Sequence, residues 1–248
     1  MLNEIAALPS PAIAVCVNAG YLSSGIFDNW LASVYRLNLR SRIIVGALDR
    51  FTFERVSALG IRCILWEGGP LGETSFEAIQ YRTEGWKPIV FSKVSFVREI
   101  LLAGRDVLFS DSDVVFLRDP FPVLAKLPTL DFLIQSDARF SVKNADLSTL
   151  CSGFYFVRST PSSIGVLSTN DSECLEWGGD QDMFRSRIFK QGLASARLLP
   201  RQLFPNGSLW LNAPPDDPVA VHFNWLVGTR DKIKAMKATG VWLGQKAE

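Results

Sequence analysis

The sequence predicts an α/β protein: a single domain with one mixed, mainly parallel β-sheet flanked by helices. Three observations carry the prediction. Apolar runs of strand length alternate with segments of helical period through the first half of the chain. Glycine punctuates the joins, as at Gly20, Gly60 and Gly104. The 248 residues, 48% hydrophobic and 21% charged, suffice for one full core, since chains of this size bury about three quarters of their unfolded surface.

In chain order, Ala12–Val17 reads as a buried strand ending at Asn18-Ala19-Gly20. Phe27, Trp30, Leu31, Val34 and Leu37 then recur at helical spacing. Residues 43–48 form a second strand. Phe53, Val56 and Leu59 mark a short helix stopped by Gly60, and residues 61–66 form a third strand. Strand, helix, strand, helix, strand implies parallel pairing with both faces covered. Residues 67–86, rich in Gly, Glu and Thr, read as a long loop, which in a compact domain is usually functional. Pro88 opens a helix carrying Val90, Val94, Val97 and Leu101, closed by Gly104, and Val107–Ser110 is the fourth strand. Later strands are expected at 132–135, 154–157 and 219–223. Helices are expected at 181–189 and at 230–239, with Gly240 as the stop. No repeat or low-complexity linker divides the chain, so one domain over 1–248 is expected.

The net charge of +1 excludes bulk attraction to nucleic acid or to an anionic membrane. The four cysteines, Cys16, Cys63, Cys151 and Cys174, are widely spaced and show no metal-ligand pairing. Cys16 and Cys63 sit in apolar runs, where a buried reduced thiol is expected, in keeping with a reducing compartment. No apolar run reaches the roughly 18 residues of a membrane span, and the first residues form no basic leader. The expectation is a soluble, cytoplasmic chain without a transmembrane segment.

The sharpest chemical signal is Asp111-Ser112-Asp113, two carboxylates in an almost wholly apolar stretch where the fourth strand should end. In open α/β sheets ligands bind beyond the carboxyl ends of the strands. Like charges two residues apart at an apolar edge repel and are costly to desolvate unless a positive charge neutralises them. A hard divalent cation does so simply, because Mg²⁺ or Mn²⁺ prefers oxygen ligands and shares its shell with substrate phosphates. The bland alternative is a turn with solvated aspartates.

Several blocks resemble a known family. They are Phe91-Ser92-Lys93, Asp111-Ser112-Asp113 running on to Arg118-Asp119-Pro120-Phe121, Ser152-Gly153-Phe154 running on to Thr160, Gly179-Asp180-Gln181-Asp182, and His222-Phe223-Asn224-Trp225 with Gly228 and Lys232. In this order they are similar to the nucleotide-diphospho-sugar transferases, glycosyltransferase family 77. The resemblance implies a GT-A fold (a Rossmann-like sheet with Asp-x-Asp at a strand end) and a donor that is a nucleoside-diphosphate sugar, most often a UDP-sugar. It also implies Mn²⁺, with Mg²⁺ as the alternative, and transfer of a hexose or pentose with retention of configuration. Residues 12–120 would then bind the nucleotide and 121–248 the sugar and acceptor. The acceptor would be a glycan, a glycoconjugate or a protein, and the Golgi lumen becomes the expected location if the chain is an excised part of an anchored protein. One departure is visible: the family commonly has Asn-Thr-Gly where this chain has Cys151-Ser152-Gly153.

Each candidate also has a structural reading. His222, the only histidine, follows an apolar strand and could be a satisfied structural residue. Imidazole suits Mn²⁺, and the resemblance makes it the third metal ligand beside Asp111 and Asp113. Lys93 is either a solvent-facing stem or a donor contact. Asp180 could serve as a helix N-cap after Gly179, while the resemblance gives Asp180, Gln181 and Asp182 roles at the sugar and its anomeric carbon. Lys232 heads a basic helix face and is the candidate for stabilising the departing diphosphate. Asn18 and Tyr21, after the first strand, could meet the nucleotide base. Asp111, Ser112, Ser152, Gly153 and Gly228 complete the donor-binding set. Trp225 is the candidate platform for an acceptor.

Two other readings compete. A haloacid-dehalogenase-type phosphatase also uses Asp-x-Asp, but normally after the first strand. A non-catalytic module would bind a nucleotide sugar or glycan without turning it over.

Overall fold

The computed structural model describes residues 2–66 and 86–244. The loop expected over 67–86 lies outside the described residues except for Trp86, which begins a helix.

The strands are β1 (Ala12–Val17), β2 (Ile43–Ala47), β3 (Cys63–Leu65), β4 (Val107–Ser110), β5 (Val114–Phe116), β6 (Phe132–Ser136), β7 (Leu150–Val157), β8 (Ala196–Leu198) and β9 (Ala220–His222). The helices are α1 (Leu2–Ala6), α2 (Ala19–Ser23), α3 (Ile26–Tyr35), α4 (Arg50–Ala58), α5 (Trp86–Leu102), α6 (Phe121–Leu124), α7 (Pro161–Leu167), α8 (Asp171–Glu176), α9 (Asp180–Phe184), α10 (Gly207–Asn212) and α11 (Thr229–Ala238). A π-helical segment, Arg185–Lys190, follows α9, so the helix expected over 181–189 is two pieces of different pitch. Helix α5 begins before Pro88, which therefore sits inside the first turn, where its missing N–H costs no hydrogen bond.

Seven strands form the main sheet in the order β3-β2-β1-β4-β7-β6-β8, drawing on both halves of the sequence. All run parallel except β7, which is antiparallel to both its neighbours. The carboxyl ends of β1, β4 and β6 therefore meet the amino end of β7 along one edge. The segment expected as a strand over 219–223 forms β9, but it pairs with β5 in a separate two-stranded sheet.

The period-2 alternation of the strands divides the core between the two faces. Ala12, Ala14, Val107, Phe109, Phe132, Ile134, Tyr155 and Val157 face α5, whose Val90, Val94, Val97 and Leu101 cover them with Met183 and Phe184. Ile13, Val15, Leu108, Leu133, Phe154 and Phe156 face Phe27, Trp30 and Val34 of α3. A smaller cluster of Val115, Val221, Phe223 and Met236 seats α11 on β5 and β9.

Polar anchors hold this edge of the sheet. Trp30 Nε1 donates to Ser110 Oγ at 3.0 Å, fixing the end of β4 from the α3 side. The buried carboxylate of Asp49 caps α4 by accepting from Thr52 N at 2.7 Å, and it also accepts from Ala19 N at 2.7 Å, tying together the loops after β1 and β2. Asp49→Ala removes a cap and an inter-loop bond at once. It is expected to cost about 1–3 kcal/mol in urea denaturation; an unchanged midpoint would show that water replaces both bonds.

None of the four cysteines is in a disulfide. Cys16 and Cys63 are only partly buried, and Cys151 and Cys174 fully. Among the described residues, no helix is long and apolar enough to cross a membrane.

Candidate functional site

At the sheet's edge Asp111 directly follows β4, and its N–H donates to Gly153 O at 2.7 Å across the β4–β7 pairing. The chain then turns, and Asp113 precedes β5. The β5–β9 register sets Val114 opposite His222, and Phe223 N donates to Asp113 O at 3.0 Å. Two short strands therefore bring an acid and the sole histidine together: His222 Nε2 lies 3.2 Å from Asp113 Oδ1. Ser112 is buried between the two acids.

One ligand atom from each of Asp111, Asp113 and His222 falls within 4.8 Å of the others. Two carboxylate oxygens and an imidazole nitrogen make a donor set suited to Mn²⁺. Space is reserved for them by a glycine. A Cβ on Gly153 would lie 2.5 Å from Asp111 Oδ2 and 2.5 Å from His222 Cε1, so no larger residue fits beside this cluster. The residues present fit a divalent cation.

The imidazole is oriented from behind. Gln135 Nε2 donates to the carbonyls of Phe204 and Pro205, both at 3.1 Å, which fixes the amide so that Oε1 faces His222 Nδ1 at 2.8 Å. Nδ1 must then carry a proton, and Nε2 is the nitrogen presented to Asp113 and to a cation. Gln135→Leu is expected to lower Mn²⁺ affinity about 10–100-fold in a calorimetric titration. Unchanged affinity would mean that packing alone orients the ring.

Two lysines neutralise the acids. Lys232 Nζ from α11 reaches Asp113 Oδ2 at 2.6 Å. Lys93 Nζ from α5 reaches Asp111 Oδ1 at 3.0 Å and Asp180 Oδ2 at 3.5 Å. Burial alone would raise the Asp113 carboxyl, but Lys232 and His222 outweigh it and hold the group well below the usual carboxylate range. Burial likewise opposes charge on His222, Lys93 and Lys232. The facing carboxylates prevail and raise all three above their ordinary values: Asp113 for His222 and Lys232, Asp111 and then Asp180 for Lys93. For Asp180 burial prevails over Lys93, and its carboxyl is raised. Lys93 is thus a buried, ion-paired residue and not a solvent-facing stem.

The block 179–182 differs from its sequence reading in one respect. Gly179 occupies the N-cap position, and Asp180 is the first residue of α9, because its carboxylate is drawn inward to Lys93 while still accepting from Gln181 N at 2.9 Å. Gln181 Oε1 accepts from Ser152 N at 3.3 Å, and its Nε2 donates to Asp137 Oδ2 at 3.2 Å. Asp182 does not join this group; it pairs with Arg185 at 3.4 Å and packs against Gly178.

On the other flank, the Tyr21 ring lies 5.9 Å from Lys232 Nζ, which brings it to the edge of the cluster. Asn18 is buried, and its side chain caps α2 by accepting from Tyr21 N at 3.2 Å, a structural role that orients the tyrosine. Gly228, at φ +80°, starts α11 and so sets the approach of Lys232.

Sequence reasoning missed Gln135, Asp137 and the side-chain role of Asn224. Asp137 had a usable signal, since it is a carboxylate just past a strand, as Asp111 is. Gln135 had none, because its contact with His222 spans 87 residues.

The family model for nucleotide-diphospho-sugar transferases matches residues 38–236. Among curated proteins, the chain is 24% identical to UDP-D-xylose:L-fucose alpha-1,3-D-xylosyltransferase 3 of Arabidopsis thaliana, over 93% of this chain and 66% of that protein. It is 26% identical to beta-arabinofuranosyltransferase RAY1 of the same plant, over 90% of this chain and 46% of the relative. The chain thus spans between about half and two thirds of these proteins' length. Among solved structures, mouse xyloside xylosyltransferase 1 in its apo form superposes with a TM-score of 0.56 at 11% identity, covering 87% of this chain and 98% of that one. The galactosyltransferase LgtC, in complex with donor and acceptor sugar analogues, does so with a TM-score of 0.55 at 13% identity, covering 95% and 98%. These likenesses show the fold: it is the GT-A fold.

Proposed function

The chain belongs to the nucleotide-diphospho-sugar transferase family, and from that premise we propose that it moves a pentose or hexose from a UDP-linked donor to an acceptor hydroxyl. The acceptor belongs to a glycan, a glycoconjugate or a protein, and the anomeric configuration is retained. The supporting observation is the convergence of Asp111, Asp113 and His222 at the carboxyl edge of the sheet, with Lys93 and Lys232 against the same acids. The name of the xylosyltransferase relative supplies UDP-D-xylose as the donor to try first.

In this reading Asp111, Asp113 and His222 would hold Mn²⁺, or Mg²⁺ in its place. When bound, the cation supplies a Lewis acid that offsets negative charge on the departing diphosphate. Lys93 and Lys232, kept cationic by their carboxylate partners, add fixed positive charge at the same edge. Tyr21 stacks on the base, and Asn18 holds it there. Ser112, Ser152, Gly153 and Gly228 shape the donor's seat. Asp180, Gln181 and Asp182 belong to the sugar side; Asp180 meets Lys93 and Gln181 meets Ser152, whereas Asp182 pairs with Arg185. The sugar–phosphate C–O bond breaks and the acceptor oxygen forms the new bond with retention, either directly from the same face or in two displacements through the carboxylate of Asp180 or Asp182. The acceptor's proton leaves with the nucleoside diphosphate.

The test is a panel of UDP-, GDP- and dTDP-sugars incubated with the purified protein and Mn²⁺, with and without a chelator. The expected result is metal-dependent release of UDP from at least one UDP-sugar. No release from any donor would sink the transferase reading in favour of a binding module, and release indifferent to the chelator would remove the metal.

A further inference from the structure

Trp225 is a residue that neither the metal nor the diphosphate uses. Its backbone sits at φ +67°, in the left-handed region that bulky side chains rarely enter. Yet its indole is 46% exposed, with the Arg139 guanidinium 5.5 Å from the ring centroid. A fold that holds an aromatic residue in a strained conformation and leaves it half in water is not using it to fill a core.

Beside it lies Asp137, half-buried just beyond the end of β6. Its carboxylate accepts from Asn224 Nδ2 at 2.8 Å and from Gln181 Nε2 at 3.2 Å, and the Trp225 side chain adjoins it. These anchors connect it to the donor side. Gln181 bonds to Ser152, and Asn224 Nδ2 reaches Cys151 Sγ at 3.7 Å. Asn224 Oδ1 also accepts from Gly207 N at 2.9 Å, which locks the segment carrying Trp225. Burial pushes the Asp137 carboxyl upward in spite of the hydrogen bonds from Gln181, so the carboxylate gains from one more donor.

A sugar ring matches this pair. Its C–H face stacks on an aromatic ring, and its hydroxyls donate to a fixed carboxylate. A phosphorylated or acidic ligand would be repelled by Asp137. We propose that Trp225 and Asp137, flanked by Arg139, form a binding subsite for a neutral glycoside acceptor, its ring on the indole and a hydroxyl donating to the Asp137 carboxylate. The subsite rests on the glycosyltransferase reading of the adjacent centre.

The experiment uses the full chain labelled with 5-fluorotryptophan, whose seven tryptophans give separate fluorine signals. The Trp225 signal is assigned by its loss in Trp225→Phe. Methyl glycosides of L-fucose, D-xylose, L-arabinose and D-galactose are titrated in turn, without donor or metal. At least one is expected to shift the Trp225 signal saturably while leaving the signals of buried tryptophans such as Trp30 in place. Asp137→Asn is expected to weaken that glycoside at least about tenfold, the loss of one charge-assisted hydrogen bond. A Trp225 signal that no glycoside moves overturns the subsite, whatever the donor-hydrolysis panel returns. Saturable binding that Asp137→Asn leaves unchanged overturns it as well. A silent hydrolysis panel beside a responsive Trp225 would count against the transferase reading and not against the subsite.

Discussion

Asp113→Asn is expected to destabilise the metal-free protein by about 3–5 kcal/mol, the cost of removing one partner from a buried ion pair. The same change is expected to lower Mn²⁺-dependent donor hydrolysis by about 10²-fold or more, as an electrostatic stabiliser of the leaving group is lost. The two effects share one cause. Asp113 is 3% exposed, and each of its oxygens serves a different cation, Oδ1 for His222 and Oδ2 for Lys232. An amide leaves two buried cationic groups without their counter-charge, and it presents a poorer ligand to a metal. Urea denaturation in chelator reads the first effect, and UDP release with Mn²⁺ reads the second. A variant with wild-type midpoint and turnover would show that Asp113 is neither the counter-ion nor the metal ligand. Asn at position 113 therefore does more than delete a ligand, and the activity loss must be read beside the stability loss.

Gly153→Ala is expected to lower Mn²⁺ affinity by about 10–100-fold while costing about 1–3 kcal/mol of stability. The added methyl falls 2.5 Å from Asp111 Oδ2 and from His222 Cε1. His222 cannot retreat, because Gln135 holds its far side at 2.8 Å and Cys151 lies 3.8 Å away. Asp111 can, since its side chain is 31% exposed, so one half of the clash is relieved by swinging it away from the cluster and from Lys93, and the half against His222 remains as strain. Gly165→Ala in α7 is the control. No atom lies within 4 Å of its added methyl, so it should keep full Mn²⁺ affinity and gain about 0.5–1 kcal/mol from the helix. Calorimetric titration of both variants checks the pair. Equal affinities would mean that the cradle at Gly153 has room which the metal site does not need.

Much of the fold could be read from local pattern. Strands β1, β2 and β4 are continuous apolar runs, and each was legible because a strand covered on both faces has no polar side to obscure it. Strands β5 and β8 were not: β5 follows β4 after only three residues and reads as its continuation, and β8 has the charged Arg197 between just two apolar residues. Strand β9 was legible as a strand, but its partner was not, and so neither was the small sheet that joins it to β5. Asp180 shows the limit in another way. A carboxylate after two glycines satisfies every local rule for an N-cap, yet the charge of Lys93 draws it into the site.

The same division runs through the candidate site. Two acids at the end of an apolar strand, and a single histidine after another, were chemically conspicuous in one dimension. Period and composition were enough to mark β4 as a central strand with Asp111 at its exit. Which charge answers which was decided only in three dimensions. Lys93 and Lys232 are both cations on helices, and nothing local assigns the first to Asp111, 18 residues away, and the second to Asp113, 119 residues away. That assignment follows from strand order and from the antiparallel pairing of β5 with β9. Side-chain period is a property of neighbouring residues, whereas an ion pair depends on where distant segments are packed.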